Sequence, residues 1–243
     1  MTGERKSELV DSLQRLTDRV EQACRSAGRD RADVQLLPVT KFFPASDVEI
    51  LYGLGRREFG ESREQEAAAK VVELAESVHD STIRWHMIGH LQRNKAKSVA
   101  AWAYAIHSVD SARLVSALAK ATAIAVDAGI RTEPLRVLLQ VSLDGDPDRG
   151  GVVTDDLPAL ADTVAAAEHL ELRGLMAIPP LGVDAAGSFA QLAQLHSALR
   201  ERHPGAIELS AGMSGDLELA VEHGSTCVRV GTALLGSRPI TSS

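Results

Sequence analysis

Aromatic residues and cysteines are scarce in this chain of 243 residues. Phe, Trp and Tyr make up only 3% of it, whereas apolar residues reach 44%, so a large core must be built mainly from Val, Ile, Leu and Ala. The two cysteines, Cys24 and Cys227, lie far apart and have no metal-binding or redox spacing. Both stand among apolar residues, which predicts buried free thiols in a reducing, cytoplasmic environment.

Long apolar runs and blocks of basic residues are also missing. No run approaches the roughly 20 apolar residues that a membrane span requires, and residues 1–6 lead into a polar segment without a hydrophobic signal core. The net charge is −7, and Arg and Lys are dispersed along the chain. These features argue against a nucleic-acid partner. We therefore expect a cytoplasmic monomer with no membrane or nucleic-acid partner.

Apolar runs of strand length alternate with helical patterns along the whole chain. The strand-like runs are 36–41, 57–60, 85–89, 104–108, 135–143, 172–178, 207–210 and 226–230. An amphipathic helix over 4–28 comes first, and the other predicted helices are 46–54, 64–76, 91–101, a helix capped by Ser111 that ends at Gly129, 157–169, 185–202, 217–223 and 232–235.

This alternation predicts a parallel sheet, and eight such units in this length favour closure. We expect a single (β/α)8 TIM-type barrel with an extra N-terminal helix, forming one domain over residues 1–243. A doubly wound open sheet is the alternative. It is weakened because no Gly-x-Gly-x-x-Gly follows an early strand.

The run Leu36–Lys41 ends on a lysine, and Phe42, Phe43 and Pro44 follow it at once. Apolar neighbours disfavour the charged form of an amine, so the lysine pKa is expected to fall from about 10.4 towards the range of a nucleophile. The alternative is a surface lysine whose ammonium group stays in solvent.

Two glycine-rich segments follow the seventh and eighth strands, namely Ser210–Gly215 and Val230–Thr232. Small residues let backbone N–H groups converge, each loop opens a helix, and such barrels usually bind phosphate here. Two ordinary tight turns are the alternative. A lysine and a phosphate site on one barrel face suggest a phosphorylated aldehyde held as a Schiff base. Arg229, on the last strand, is a candidate to point inward beside that ligand, unless a carboxylate elsewhere pairs with it.

Several polar residues mark the ends of other strands, where such barrels place their chemistry. Glu61 is a conceivable general base, although a solvated or Arg-paired carboxylate is the favoured interpretation. His86 and His90 have a metal spacing, but Gly89 breaks the helix that this spacing needs, so no metal is expected. Arg149 lies in an otherwise acidic loop and could receive an anionic substrate.

Six segments carry a resemblance to a known family, namely Leu36–Lys41, Phe59–Glu61, Trp85–Gln92, Arg173–Ile178, Leu209–Ser214 and Val228–Thr232. Together they resemble the pyridoxal 5′-phosphate homeostasis proteins, which are similar to the N-terminal barrel of alanine racemase and of eukaryotic-type ornithine decarboxylase. The resemblance implies that Lys41 is the Schiff-base lysine and that Arg229 contacts the pyridine nitrogen. It also implies that Ser214 and the backbone of Gly231 and Thr232 hold the phosphate. The other expected cofactor contacts are Ser62, His86, Met176, Ser210 and Met213.

The function that this resemblance implies is pyridoxal 5′-phosphate binding for intracellular homeostasis and amino-acid and keto-acid balance. The cofactor is expected to be handed to apo-enzymes, with no catalysis by the chain itself. The alternative is a single-domain amino-acid racemase, but Tyr52 and Tyr104 are the only tyrosines, and the chain ends soon after Arg229. A class I aldolase would also use a Schiff-base lysine, yet it gives no reason for an arginine at a pyridine nitrogen.

The chain departs from the family pattern at three places. Ser62 stands where the family usually has Asn after Phe-Gly-Glu, and Ser makes only a shorter contact. Phe42 and Phe43 replace a more polar pair and are expected to alter access to the aldehyde, and His90 replaces a small residue.

Overall fold

The predicted alternation of strands and helices produces a ring of parallel strands. The computed structural model of the chain describes residues 2–78, 83–146, 150–180 and 184–237. Within these ranges eight strands form one sheet in the order β1-β8-β7-β6-β5-β4-β3-β2. The strands are β1 Gln35–Pro38, β2 Glu58–Glu61, β3 Arg84–Met87, β4 Ala103–Val109, β5 Leu135–Gln140, β6 Leu170–Met176, β7 Glu208–Ser210 and β8 Cys227–Val230.

Helices connect the strands and cover the outside of the ring. They are α1 Thr2–Ser26, α2 Ala45–Gly53, α3 Glu64–Ser77, α4 Ala96–Trp102, α5 Ala112–Asp127, α6 Leu157–Ala165, α7 Ala185–Arg202, α8 Leu217–Glu222 and α9 Thr232–Leu235. Short 3-10 turns lie at Arg31–Asp33, Arg93–Lys95 and Thr154–Asp156.

The ring closes between its first and second strands. Val39 forms an isolated parallel bridge with Gly60. The N–H group of Thr40 donates to the carbonyl oxygen of Gly60 at 3.0 Å. The prediction of a TIM-type barrel with an extra N-terminal helix is therefore confirmed, and the open-sheet alternative is wrong because an open sheet would leave β1 and β2 as separate edges.

The core is aliphatic, as the scarcity of aromatic residues predicted. Most of the buried side chains are Leu, Val, Ile and Ala, packed in layers between the sheet and the helices. Cys24 and Cys227 are both buried and free, which confirms the prediction that the two thiols are buried and unpaired. Across the described residues, no helix combines the length and apolar character that crossing a membrane would demand.

Several local predictions need correction. The strand predicted over 135–143 ends at Gln140, the helix predicted over 91–101 begins at Ala96, and the helix predicted over 157–169 ends at Ala165. Ser111 occupies the position before α5, but its side chain makes no capping hydrogen bond. Its carbonyl oxygen accepts the N–H groups of Leu114 and Val115 instead, so the backbone alone starts the helix. The strand predicted over 36–41 stops at Pro38, because the chain turns at residues 40–43 before α2 begins.

Candidate functional site

A cavity of about 760 Å³ lies at the carboxyl ends of the strands, where the barrel fold places its chemistry. Seven of the ten predicted cofactor contacts line it, namely Lys41, Ser62, Met213, Ser214, Arg229, Gly231 and Thr232. The other three, His86, Met176 and Ser210, are buried within the barrel. The cavity is also lined by residues that are not among the ten predicted contacts: Val39, Phe42, Phe43, Ile88, Gly89, His90, Gln140, Gly150, Ile178, Gly215 and Gly236.

Lys41 reaches the cavity from a tight turn. The N–H group of Phe43 donates to the carbonyl oxygen of Thr40 at 3.1 Å, so Lys41 and Phe42 are the two central residues. Phe42 has a φ angle of +69°, a value that this type of turn ordinarily assigns to glycine or asparagine. The half-buried Lys41 is therefore presented from a strained turn rather than from the end of a strand.

A buried lysine supports this turn. The Lys70 Nζ group donates to the carbonyl oxygen of Thr40 at 2.7 Å and contacts Glu61 Oε1 at 2.8 Å and Glu66 Oε1 at 2.9 Å. Burial raises the pKa of Glu61, although the charge of Lys70 and its hydrogen bond oppose that rise. The interpretation of Glu61 as a solvated or Arg-paired carboxylate is wrong, because α3 delivers Lys70 to it inside the fold.

The two glycine-rich loops meet at the start of α9. The Ser214 hydroxyl group accepts a hydrogen bond from the N–H group of Ala233 at 3.4 Å. Gly231 precedes the helix, and its carbonyl oxygen accepts the N–H groups of Leu234 and Leu235, each at 2.9 Å. The loops that the sequence singled out are thus adjacent, with backbone N–H groups and a hydroxyl at one side of the cavity.

The N-terminal helix α1 contacts the first of these loops and the end of α9, the helix that the second loop opens. Arg19 donates to the carbonyl oxygen of Ser214 at 3.2 Å and pairs with Glu218 at 2.8 Å. Arg5 donates to the carbonyl oxygen of Leu235 at 3.0 Å and pairs with Asp47. The extra helix therefore holds the Ser214 loop and the end of α9 from outside the barrel.

Arg229 brings a buried positive charge to the cavity. Its guanidinium group donates to the Ser210 hydroxyl at 2.7 Å and to the carbonyl oxygen of Ala177 at 2.9 Å. Both acceptors are neutral, and no carboxylate among the described residues lies within ion-pair distance. The carboxylate salt bridge considered from the sequence is therefore not formed there. Burial lowers the pKa of Arg229, yet a guanidinium stays protonated at ordinary pH and retains further N–H donors for a ligand.

A chain of hydrogen bonds crosses the barrel interior from Arg229. The Ser210 hydroxyl lies 2.9 Å from His107 Nδ1, and His107 Nε2 lies 2.9 Å from His86 Nδ1. At the far end, His86 Nε2 lies 2.9 Å from a carboxylate oxygen of Glu58. These five residues come from β2, β3, β4, β7 and β8, so only the closed barrel brings them together.

The chemistry of its two ends fixes one donor and one acceptor. A guanidinium can only donate and a carboxylate can only accept, so the Ser210 hydroxyl accepts from Arg229, and Glu58 accepts from His86 Nε2. Burial, together with the charges of His86 and Arg229, holds the pKa of His107 well below its usual range, so its ring is neutral. The hydrogen-bond chain therefore links a buried cation to a carboxylate through one hydroxyl and two imidazole rings.

Glu58, at the end of the hydrogen-bond chain, is expected to make the stability of the fold depend on pH. Burial pushes the pKa of Glu58 upwards, but hydrogen bonds from His86, Arg84 and Gln35, and the charge of His86, outweigh burial and lower it from 4.5 to about 2. A lowered carboxyl pKa gives stability that is complete above pH 4.5 and is lost as the pH falls towards 2.

We expect Glu58→Gln to reduce the free energy of unfolding at pH 6 by about 1.5 kcal/mol, the lower end for a hydrogen bond to a charged group, because Glu58 is 25% exposed. This deficit should shrink between pH 4.5 and pH 2, which urea titrations at each pH measure. Glu168→Gln, at a side chain that is 90% exposed, is the matched control. A deficit that stays constant over this pH range would contradict the assignment.

The remaining predicted residues have varied surroundings. His90 is 71% exposed, and its Nδ1 atom lies 4.0 Å from a carboxylate oxygen of Asp110. His86 is buried in the barrel and hydrogen-bonds to His107 and Glu58 instead. The described residues hold no group of three or more side chains suited to a metal ion. The backbone of Ser62 packs closely against Gly89: a Cβ atom added to Gly89 would lie 2.1 Å from the Ser62 carbonyl oxygen. Arg149 lies outside the described residues.

His107, Glu66 and Lys70 take part in the site although they are not among the residues predicted from the sequence. His107 carried a usable signal, since it is a polar residue inside an apolar strand run. Glu66 and Lys70 gave none, because a Glu and a Lys four residues apart on a charged helix ordinarily form a solvated pair.

Comparison with known proteins identifies the family. The profile of the alanine racemase N-terminal domain matches residues 12–239. A relative from Mycobacterium tuberculosis named pyridoxal phosphate homeostasis protein is 53% identical, over 98% of this chain and 96% of its own length. The chain belongs to the pyridoxal phosphate homeostasis protein family. The family resemblance stated from the sequence motifs is confirmed.

Solved structures agree with this membership. PipY of Synechococcus elongatus, whose structure was determined with PLP bound, is 36% identical, with a TM-score of 0.75 over 89% of this chain and 99% of that one. Alanine racemase from Corynebacterium glutamicum is only 15% identical, with a TM-score of 0.68 over 96% of this chain and 63% of that one. The racemase shares the barrel fold, whereas the homeostasis proteins are similar to this chain in sequence as well.

Proposed function

We propose that this chain binds pyridoxal 5′-phosphate in the cavity, holds it on Lys41 and serves intracellular homeostasis and delivery of the cofactor. The observation that carries the proposal is Arg229, a buried cation with neutral partners that faces the same cavity as Lys41. Burying such a charge is costly unless it meets an acceptor, and the pyridine nitrogen of the cofactor is one. The bound cofactor supplies an aldehyde that a lysine amine can capture as a Schiff base.

The cavity residues suit the three polar parts of this cofactor. The Lys41 amine would capture the aldehyde, and Arg229 would donate to the ring nitrogen. The Ser214 hydroxyl and the N–H groups around Gly231 and Thr232 would hold the phosphate, since they meet at one side of the cavity.

The other predicted contacts have supporting roles in this proposal. Ser62 and Met213 line the cavity beside the cofactor, and Met176 is buried at the end of β6. Ser210 and His86 act behind Arg229, since they continue its hydrogen-bond chain into the barrel.

The same residues explain a carrier without racemase activity. Arginine stays protonated, so Arg229 can donate to the ring nitrogen but cannot readily transfer a proton to it, and an unprotonated ring is a poor electron sink. Both tyrosines lie outside the cavity lining. Tyr104 is the second residue of β4 and lies between Arg84 and Arg136, and Tyr52 stacks on Arg57. No tyrosine among the described residues is therefore placed to serve as the second acid–base group.

Deuterium incorporation at the α-carbon of alanine tests this proposal. With cofactor-loaded protein in deuterium oxide, we expect transfer of the cofactor to an apo-enzyme but no exchange of D- or L-alanine at enzymatic rates, which are usually about 1–10³ per second. Exchange at such rates, abolished by Lys41→Ala, would overturn the carrier function and make the chain a racemase. His90→Asn would then show whether the exposed His90 is the second acid–base group.

The cellular location, the oligomeric state and the partners of the protein also belong to its proposed function. We propose that it works in the cytoplasm, which its two buried free thiols support, as a monomer of one domain over residues 1–243. The partners proposed are apo-enzymes that need the cofactor. A nucleic-acid partner is not part of the proposal, because the net charge of −7 disfavours it.

A further inference from the structure

The two peptide groups that flank Lys41 are both held by side chains of one helix, α3. Lys70 Nζ donates to the carbonyl oxygen of Thr40 at 2.7 Å, and Glu66 Oε1 accepts the N–H group of Phe42 at 2.5 Å. Glu66 and Lys70 are one helical turn apart and pair at 2.9 Å. A single ion pair, called here the Glu66–Lys70 clamp, thus fixes the backbone on both sides of Lys41.

The turn held by this clamp is strained. Phe42 has a φ angle of +69°, which is unfavourable for a residue other than glycine and persists only where the surroundings enforce it. Arg63, immediately before α3, adds a further restraint, because its guanidinium carbon lies 4.6 Å from the centre of the Phe42 ring. Without these contacts the turn would relax, and the amine of Lys41 would move with it.

The two members of the clamp differ in what else they hold. Lys70 is buried and also pairs with Glu61, which is fully buried and accepts a hydrogen bond from the Thr40 hydroxyl at 2.7 Å. Removing Lys70 would leave the Glu61 charge unpaired and threaten the fold. Glu66 is 25% exposed, so its replacement tests the clamp with less risk to folding.

We propose that the Glu66–Lys70 clamp is a positioning device that holds the Lys41 turn ready to capture the cofactor aldehyde. The proposal rests on the function proposed above. It assigns Glu66 the role of acceptor for the Phe42 N–H group, and Lys70 the role of anchor for the Thr40 carbonyl oxygen. Neither residue lines the cavity, so both act through the backbone of Lys41.

The test compares covalent capture with noncovalent binding. The rate of capture on Lys41 is followed by visible absorbance, and the product is located by borohydride reduction and peptide mass spectrometry. Affinity for pyridoxine 5′-phosphate, which carries an alcohol in place of the aldehyde, is measured by calorimetry. Glu66→Ala removes the acceptor, Glu66→Gln keeps an acceptor oxygen, and Glu73→Ala alters the exposed face of the same helix as a matched control.

We expect Glu66→Ala to slow capture about tenfold or more, since small displacements of a reacting group are costly. Its affinity for pyridoxine 5′-phosphate should stay within about twofold of wild type, because the phosphate loops and Arg229 do not depend on the clamp. Glu66→Gln should recover most of the rate, and Glu73→Ala should match wild type.

Three results would contradict the clamp. Wild-type capture rates in Glu66→Ala, or equal losses for both ligands, would overturn it while leaving the cofactor function intact. Failure of the wild-type protein to capture the cofactor on Lys41 would overturn the proposed function as well, so the two failures are distinguishable.

Discussion

Replacing Lys41 by alanine is expected to abolish covalent cofactor capture while leaving the fold intact. The Lys41 side chain is half-buried and belongs to a turn, so its loss removes little core packing. Wild-type protein loaded with pyridoxal 5′-phosphate should show an absorbance band near the violet that borohydride bleaches. In Lys41→Ala the band and the reduced adduct should disappear, because no other amine among the described residues lines the cavity.

The variant should still retain some cofactor without a covalent bond. Ser214, the start of α9 and Arg229 remain in place, and together they can bind the phosphate and the ring nitrogen. Lys97→Ala, at an exposed lysine of α4, is the matched control for the loss of an amine. An unchanged, reducible band in Lys41→Ala would show that another residue holds the cofactor, and the assignment would fail.

Replacing Ser214 by alanine is expected to weaken cofactor binding by roughly ten- to a hundredfold. The variant loses one hydrogen bond to a charged acceptor, which contributes about 1.5–3 kcal/mol. The hydroxyl also accepts from the N–H group of Ala233, so its loss loosens the contact between the two glycine-rich loops. Titration of apo-protein with the cofactor, followed by fluorescence or absorbance, gives the change in dissociation constant.

A second ligand makes this result specific to the phosphate. Pyridoxal, which lacks the phosphate, should bind wild type weakly and respond little to Ser214→Ala. Ser197→Ala, at an exposed serine of α7, is the matched control and should change neither affinity. Equal losses for the two ligands would place Ser214 away from the phosphate.

These two variants separate the covalent and the noncovalent parts of cofactor retention. A carrier must hold the cofactor firmly enough to exclude side reactions and still release it to an apo-enzyme. The Schiff base is reversible, and the phosphate loops provide a binding contribution that does not depend on it. We therefore expect the cofactor to reach an apo-enzyme faster from Lys41→Ala than from wild type, since no covalent bond must first be hydrolysed.

The sequence by itself determined the order of strands and helices. The predicted bounds of α7, Ala185–Arg202, and α9, Thr232–Leu235, coincide with the observed ones, because hydrophobic periodicity and flanking turn residues are local properties of the chain. The site loops were also predictable, since a parallel barrel places every βα loop on one face. Seven of the ten predicted contacts line the cavity for this reason.

Only the tertiary structure decided what surrounds those residues. The strain at Phe42, the clamp from α3 and the chain from Arg229 to Glu58 depend on contacts between residues distant in sequence, such as His107 and Ser210, 103 positions apart. Their partners are set by strand register and by the closure of β1 on β2, which no local pattern encodes. Glu61 shows the consequence: its place after a strand was predictable, but its burial against Lys70 required the barrel to close and α3 to pack beside it.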